Sequence, residues 1–194
     1  MDAAKVGSLI YKLRKEKGMT QKELGNAMNV SDRTISKWER GAGMPDVSLL
    51  RDLSDLLGVD IGRILSGDLA PNENNGGNMR KIQFYVCPGC GNILFSTGKA
   101  EISCCGRKLT PLETQSGDEN HSARIEQIDG ESYITLNHEM SKEHYISFVA
   151  YVGSDRVQLV KLYPEQDAAL RLPSLRRGKL YACCSRHGLW EIVN

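Results

Sequence analysis

LAPNENNGGNMRK, residues 69–81, is rich in asparagine and glycine and has no hydrophobic periodicity, which is the composition of a flexible linker rather than of a packed element. It divides the 194-residue chain into two textures. Before it, apolar residues recur at helical spacing. After it, short β-branched and aromatic runs are separated by Gly, Asp and Ser turns. The expected organisation is a helical domain over residues 1–67, a linker over 68–79, and β structure beyond.

In the first part Val6, Leu9, Ile10 and Leu13 follow the i, i+3, i+4, i+7 pattern, and Gly18 ends that helix. Thr20 opens TQKE, a capping box closed by Glu23, ahead of Leu24, Ala27 and Met28. Ser31 is the predicted N-cap of the next helix, with Ile35 and Trp38 turned to the core and Gly41 as the stop. Residues 46–57, with Val47, Leu50, Leu53 and Leu57 inward, and 60–66 complete an all-α, five-helix domain.

The formal net charge is only +1, which points to no particular partner. Within residues 1–45, however, Lys5, Lys12, Arg14, Lys15, Lys17, Lys22, Arg33, Lys37 and Arg40 outnumber Asp2, Glu16, Glu23, Asp32 and Glu39. That excess is modest and reads equally as a solvated helix surface. The helix, tight turn and helix over residues 20–40 is the arrangement that lays its second helix in a DNA major groove. Gln21, the VS at 30–31, ISKWERG at 35–41 and PDVSLLRDLSDLLGV at 45–59 resemble the phage-repressor, Cro-like (xenobiotic-response-element) helix-turn-helix family. The resemblance implies that Arg33, Thr34 and Lys37 read base edges while Gln21 and Ser31 hold phosphates. A single such domain touches few phosphates, so a homodimer on a two-fold DNA site is expected.

The six cysteines lie at 87, 90, 104, 105, 183 and 184. The opening MDAAKVGSLI is not a secretory leader, and no apolar run is long enough to span a bilayer, so no membrane association and a cytoplasmic location are expected. In that reducing compartment clustered cysteines bind metal more often than they form disulfides. CPGC at 87–90 is a knuckle whose two-residue spacer aims both sulfurs at one ion. Cys104 and Cys105 have no spacer, and adjacent side chains on an extended strand diverge, so a local bend is required. Four thiolates select zinc or iron, and spacing alone does not choose.

The four histidines are His121, His138, His144 and His187. His138 and His144 lie six apart in NHEMSKEH, a spacing that suits a short loop folding both rings inward. His187 follows Cys184 at CxxH spacing. Four imidazoles and one thiolate exceed the usual zinc complement, and five ligands with one open position fit a redox iron.

Residues 81–112, KIQFYVCPGCGNILFSTGKAEISCCGRKLTPL, resemble desulforedoxin, the small module with an iron tetrathiolate, with zinc as the alternative. ENHSARIEQIDGESYITLNHEMSKEHYISFVAYV at 119–152 and LYACCSRHGLW at 180–190 resemble the superoxide reductase catalytic domain, so that 79–194 as a whole resembles desulfoferrodoxin. That resemblance implies a desulforedoxin-like β module over 80–115 and an immunoglobulin-like antiparallel β-sandwich over 116–194. It also implies two iron ions per chain: one on Cys87, Cys90, Cys104 and Cys105, the other on His121, His138, His144, His187 and axial Cys184. The implied activity is reduction of superoxide to hydrogen peroxide, fed by a rubredoxin-like electron donor, with Glu119 at the oxidised iron after turnover. Where the family carries a lysine this chain has Asn120, which predicts weaker attraction of the superoxide anion unless another cation such as Lys142 substitutes. The added DNA-binding head points to transcription regulation under oxidative stress, and a redox- or iron-sensing regulator with little reductase activity is the alternative. Alternation along a strand turns Cys184 inward and Cys183 to the other face, where a small buried residue is expected.

Overall fold

The computed structural model describes every residue except 1, 70, 72–76, 119, 120, 176, 193 and 194. The chain divides into two compact units, Met1–Glu73 and Asn74–Asn194.

The first unit holds helices α1 (Ala3–Glu16), α2 (Gln21–Ala27), α3 (Asp32–Glu39), α4 (Leu50–Leu57) and α5 (Ile61–Ser66), with a 3-10 turn at Val47–Leu49. Its core contains the expected stripe: Val6, Leu9, Ile10, Leu13, Leu24, Met28, Ile35, Trp38, Leu50, Leu53 and Leu57 pack together with Ile64. Val47 is the exception, 82% exposed. It sits on the 3-10 turn ahead of α4, one turn beyond the buried stripe. Gly7, on the inner face of α1, allows that helix to touch the end of α3: a Cβ there would fall 2.1 Å from the Trp38 carbonyl oxygen.

Local signals start these helices. Thr20 Oγ1 accepts from the Glu23 N–H while the Glu23 carboxylate accepts from the Thr20 N–H at 2.7 Å, the reciprocal bonds of a capping box. Ser31 caps α3 through the Thr34 N–H. Thr20→Ala is expected to cost the helical unit about 1 kcal/mol, read as a lower urea midpoint for the loss of helical circular dichroism.

Among the described residues the second unit is mainly β, with a 3-10 turn at Met79–Lys81. Two short hairpins, β1 (Gln83–Val86) with β2 (Ile93–Ser96) and β3 (Ile102–Cys104) with β4 (Arg107–Leu109), come first. They are followed by β5 (Thr114–Ser116), β6 (Ser122–Ile128), β7 (Glu131–Asn137), β8 (Ile146–Val152), β9 (Val157–Lys161), β10 (Ala169–Pro173), β11 (Lys179–Cys184) and β12 (Gly188–Ile192). These form a three-stranded sheet, β10-β7-β6, and a five-stranded sheet, β5-β12-β11-β8-β9. Asp129 and Gly130, both at positive φ, make the two-residue turn between β6 and β7, as a type I′ hairpin requires.

The two sheets share one core, with Ile134, Leu136, Leu170 and Leu172 of the smaller sheet meeting Val149, Tyr151, Leu180, Ala182 and Ile192 of the larger. The opposite face of the five-stranded sheet is buried too, because Phe84 of β1 packs on Phe148 and Tyr181 at 5.6 and 5.7 Å between ring centres. Strands β8 and β11 are therefore covered on both sides, which is why ISFVAYV and LYACC read as continuous apolar runs rather than clean alternations. The expectation of an entirely antiparallel arrangement needs one correction: β5 pairs with β12 in parallel. No described helix is long and apolar enough to cross a membrane.

Candidate metal centres

The ligand atoms of Cys87, Cys90, Cys104 and Cys105 all lie within 4.8 Å of one another. In the knuckle, the Cys87 N–H donates to the Asn92 carbonyl at 2.9 Å, and the Gly91 N–H returns to the Cys87 carbonyl at 2.8 Å. The bend demanded by adjacent cysteines is the β3–β4 turn itself. Cys105 and Gly106 occupy it at φ +51° and +72°, so the two sulfurs converge although their residues are neighbours. A non-glycine residue at positive φ is strained, and the surrounding structure has to hold it. Backbone N–H groups of Gly89 and Cys90 hold the Cys87 thiol down to about 7, whereas the neighbouring Cys90 and Cys87 push Cys105 up to about 12. Sulfur donors of this number suit iron or zinc.

The second cluster lies on the strand ends of the two facing sheets. His121 immediately precedes β6, is buried, and stacks on Trp190 of β12 at 4.0 Å with 11° between planes. His138 follows β7, and His144 closes the loop to β8, where the Ser141 N–H donates to the His144 carbonyl at 2.9 Å. Cys184 ends β11 where the register with β8 shifts, and His187 sits in the turn to β12. The Gln115 amide nitrogen of β5 steadies that turn by donating to the His187 carbonyl at 2.6 Å.

The hydrogen bonds specify which ring nitrogen faces the centre. A carbonyl or carboxylate oxygen only accepts, so any imidazole nitrogen against one carries the proton. His121 Nδ1 lies 2.8 Å from an Asp118 carboxylate oxygen, His138 Nδ1 lies on the Glu139 carbonyl, and His144 Nδ1 lies 3.0 Å from the Glu139 carboxylate. In the neutral ring each then presents an Nε2 without a proton. Those of His138 and His144 are buried without a hydrogen-bond partner, a costly arrangement unless something electron-poor occupies the space between them. His187 turns Nδ1 inward, 3.2 Å from His121 Nε2 and 3.6 Å from Cys184 Sγ. Cys184 Sγ in turn accepts N–H bonds from Arg186 and His187, both at 3.4 Å.

The ligand atoms of His121, His138, Cys184 and His187 lie within 4.8 Å of one another. His144 stands outside that set but lines the same cavity, its ring centre 4.6 Å from His138 and 4.8 Å from His187. His121, His138, His187 and Cys184 form a group that could hold a metal ion, and the Nε2 atoms of His138 and of neighbouring His144 are otherwise orphaned. Burial, opposed by the bond to Glu139, lowers the His138 pKa, and hydrogen bonds from Ser141 and then His144 hold the Glu139 carboxyl below the usual range. The charged residues among those described around the cavity, Asp118 and Glu139, are both acidic. Lys142 is exposed, 3.8 Å from Glu165, and is not among the described lining residues. Glu119 and Asn120 lie outside the described residues. Cys183, by contrast, is buried in the apolar layer on the far side of its sheet, where desolvation pushes its thiol up to about 11.

In the helical unit Arg33 and Lys37 are exposed one turn apart on α3, and Thr34 is half-buried. Ser31 Oγ is engaged with both the Thr34 N–H and its hydroxyl. The Gln21 amide donates to Glu39 at 2.7 Å. It joins a network that charge counting had placed on the solvated surface: Arg14 grips Glu39 with two bonds, 2.5 and 3.0 Å, and the Met19 carbonyl with a third, and the Arg14 and Glu39 side chains are 3% and 4% exposed. The signal available in the sequence was Arg14 beside Leu13 at the end of the buried stripe of α1.

The helix-turn-helix family profile matches residues 10–64. The helix-turn-helix-type transcriptional regulator y4dJ of Sinorhizobium fredii is 43% identical over 60 residues, covering 30% of this chain and 78% of that protein. The desulfoferrodoxin homolog of Archaeoglobus fulgidus is 29% identical over 119 residues, covering 57% of this chain and 95% of that protein. Among solved structures, the superoxide reductase of Treponema pallidum superposes with a TM-score of 0.51 at 19% identity, covering 58% of this chain and 98% of that one, a likeness of fold. The chain therefore belongs to the helix-turn-helix family through its N-terminal unit, and its second unit is similar to the desulfoferrodoxins, the two joined in one polypeptide.

Proposed function

We propose that the chain is a superoxide reductase carrying a DNA-binding head, with iron at both clusters, and that the head links the activity to regulation under oxidative stress. One observation carries this reading: the ligand atoms of His121, His138, His187 and Cys184 gather within 4.8 Å, His144 lines the cavity with the other three histidines, and the Nε2 atoms of His138 and His144 are buried and otherwise unpaired. Iron bound there supplies the single electron that superoxide needs on the way to hydrogen peroxide.

The chain's own residues prepare the site. Asp118 and Glu139 keep protons on the outward nitrogens of three histidines, so the rings act as neutral donors. The Arg186 and His187 N–H groups hold the Cys184 sulfur in place, and an electron-rich sulfur donor favours passing charge to the bound anion. The immunoglobulin-like reading of the sandwich, domain limits at 67, 79 and 115, residence in the cytoplasm, a rubredoxin-like donor, a homodimer and the role of Glu119 belong to the same proposal. Iron is preferred at the tetracysteine site, with zinc as the alternative. Anaerobic metal analysis is expected to find iron at both clusters, and rapid mixing with superoxide to oxidise the ferrous protein faster than free iron reacts. No metal at the histidine cluster, or no reaction above that background, overturns the reading.

The exposed pair Arg33 and Lys37 on α3 favours a second, compatible reading in which the iron centres report superoxide or iron to a DNA-bound regulator. Arg33, Thr34 and Lys37 would read bases, with Gln21 and Ser31 on phosphates. Arg33→Ala is expected to weaken binding to a selected operator by about 1–3 kcal/mol and to relax sequence preference, with metal content unchanged. Sensing requires reduced and oxidised protein to differ in operator affinity by roughly 5–150-fold; equal affinities rule it out.

A further inference from the structure

We infer that Glu139 is a positioning residue that sets the tautomer and orientation of His144, so that this ring offers Nε2 and not an N–H to the metal. The inference rests on the reading of the histidine cluster as a metal site. Three observations support it. The Glu139 carboxylate lies 3.0 Å from His144 Nδ1, and as an acceptor it requires the proton to be on that atom. His144 Nε2 is buried and has no protein partner. The same residue also holds His138, but through its backbone carbonyl.

This division of labour makes the side chain's contribution separable. Any residue at 139 supplies a carbonyl for His138, whereas only an accepting side chain supplies one for His144. Without it the proton is free to move to Nε2, which points a donor at the cation and removes a ligand. Partners of this kind typically hold 10–100-fold in metal affinity.

The test uses the full chain with Glu139→Ala and Glu139→Gln. In metal-free protein, long-range nitrogen–proton correlations of the rings should show Nδ1–H at both His138 and His144 in the unaltered chain. Glu139→Ala should mix the His144 tautomers and leave His138 as it was, while Glu139→Gln, whose amide oxygen still accepts, should restore His144. Anaerobic ferrous titration should then show the histidine site of Glu139→Ala weakened about 10–100-fold, with the tetracysteine site unchanged as internal control. An unchanged His144 tautomer in Glu139→Ala, or equal weakening of both sites, overturns the inference. If the unaltered chain takes no iron at the histidines, the metal reading fails and the ring tautomers alone decide whether Glu139 positions His144.

Discussion

Cys184→Ser is expected to remove the sulfur-to-iron charge-transfer absorption of the histidine site, leave the tetracysteine bands in place, and reduce superoxide turnover to the free-iron background. The sulfur is the one thiol in the group with His121, His138 and His187 among the described residues, 3.6 Å from His187 Nδ1 and held by two N–H groups. A serine hydroxyl is a poor donor to iron and gives no low-energy sulfur band. Cys183→Ser provides the contrast. Its side chain packs with Phe84, Phe148 and Leu189 on the other face of the sheet, so its loss is expected to cost about 1–3 kcal/mol for a buried hydroxyl with poor partners while the spectrum stays intact. Absorption and stopped-flow measurements on the two variants decide the matter, and loss of the band in Cys183→Ser would show that the strand faces the other way.

Glu39→Ala is the second large effect. It leaves the Arg14 guanidinium, 3% exposed, without its carboxylate and deprives the Gln21 amide of its acceptor. Breaking one partner of a buried pair costs about 3–5 kcal/mol, comparable with the whole stability of a domain this small at roughly 0.05–0.15 kcal/mol per residue. The helical unit is expected to lose most of its ellipticity at room temperature while the β unit remains folded. The same pair predicts a pH dependence. Burial raises the Glu39 carboxyl, but hydrogen bonds from Arg14 and Gln21 outweigh it and hold the group below its ordinary value. The unfolded carboxyl titrates near pH 4.3, roughly the unperturbed value for Glu. The stabilisation is therefore complete above that pH and is lost as pH falls through the lower folded value. Urea unfolding of the helical signal at neutral pH and near pH 3 measures the loss; a midpoint independent of pH would show that the pair is not formed.

Much of the helical unit was legible because its determinants are local. The capping box at Thr20, the Ser31 cap and the stripe from Val6 to Leu13 all act within one or two turns, and each appears where expected. Two features of that unit were not legible. Gly7 has meaning only because α3 comes against it, and Arg14 with Glu39 looked like two surface charges because their partnership spans 25 residues of sequence. In the β unit, strands β8 and β11 stood out through their length, whereas β2, β3 and β4 carry too few residues for alternation to show. The parallel pairing of β5 with β12 joins segments more than 70 residues apart and leaves no local trace.

The candidate sites divide along the same line. Cysteine and histidine are rare enough in this chain that their identities and spacings marked the candidates, and the structure gathers Cys87, Cys90, Cys104 and Cys105 in one group and His121, His138, Cys184 and His187 in another, with His144 beside the second. What only the tertiary structure decided is how each donor faces. The positive-φ turn at Cys105 and Gly106 lets adjacent sulfurs converge, and the register shift at Cys184 separates the two faces of CC. Asp118 faces Nδ1 of His121, and Glu139 faces Nδ1 of His138 and His144, which turns the Nε2 of these three rings the other way. Ligand type is a property of one residue and is written in the sequence. Ligand direction depends on the backbone angles and hydrogen-bond partners that distant strands bring together, and it exists only once the chain has folded.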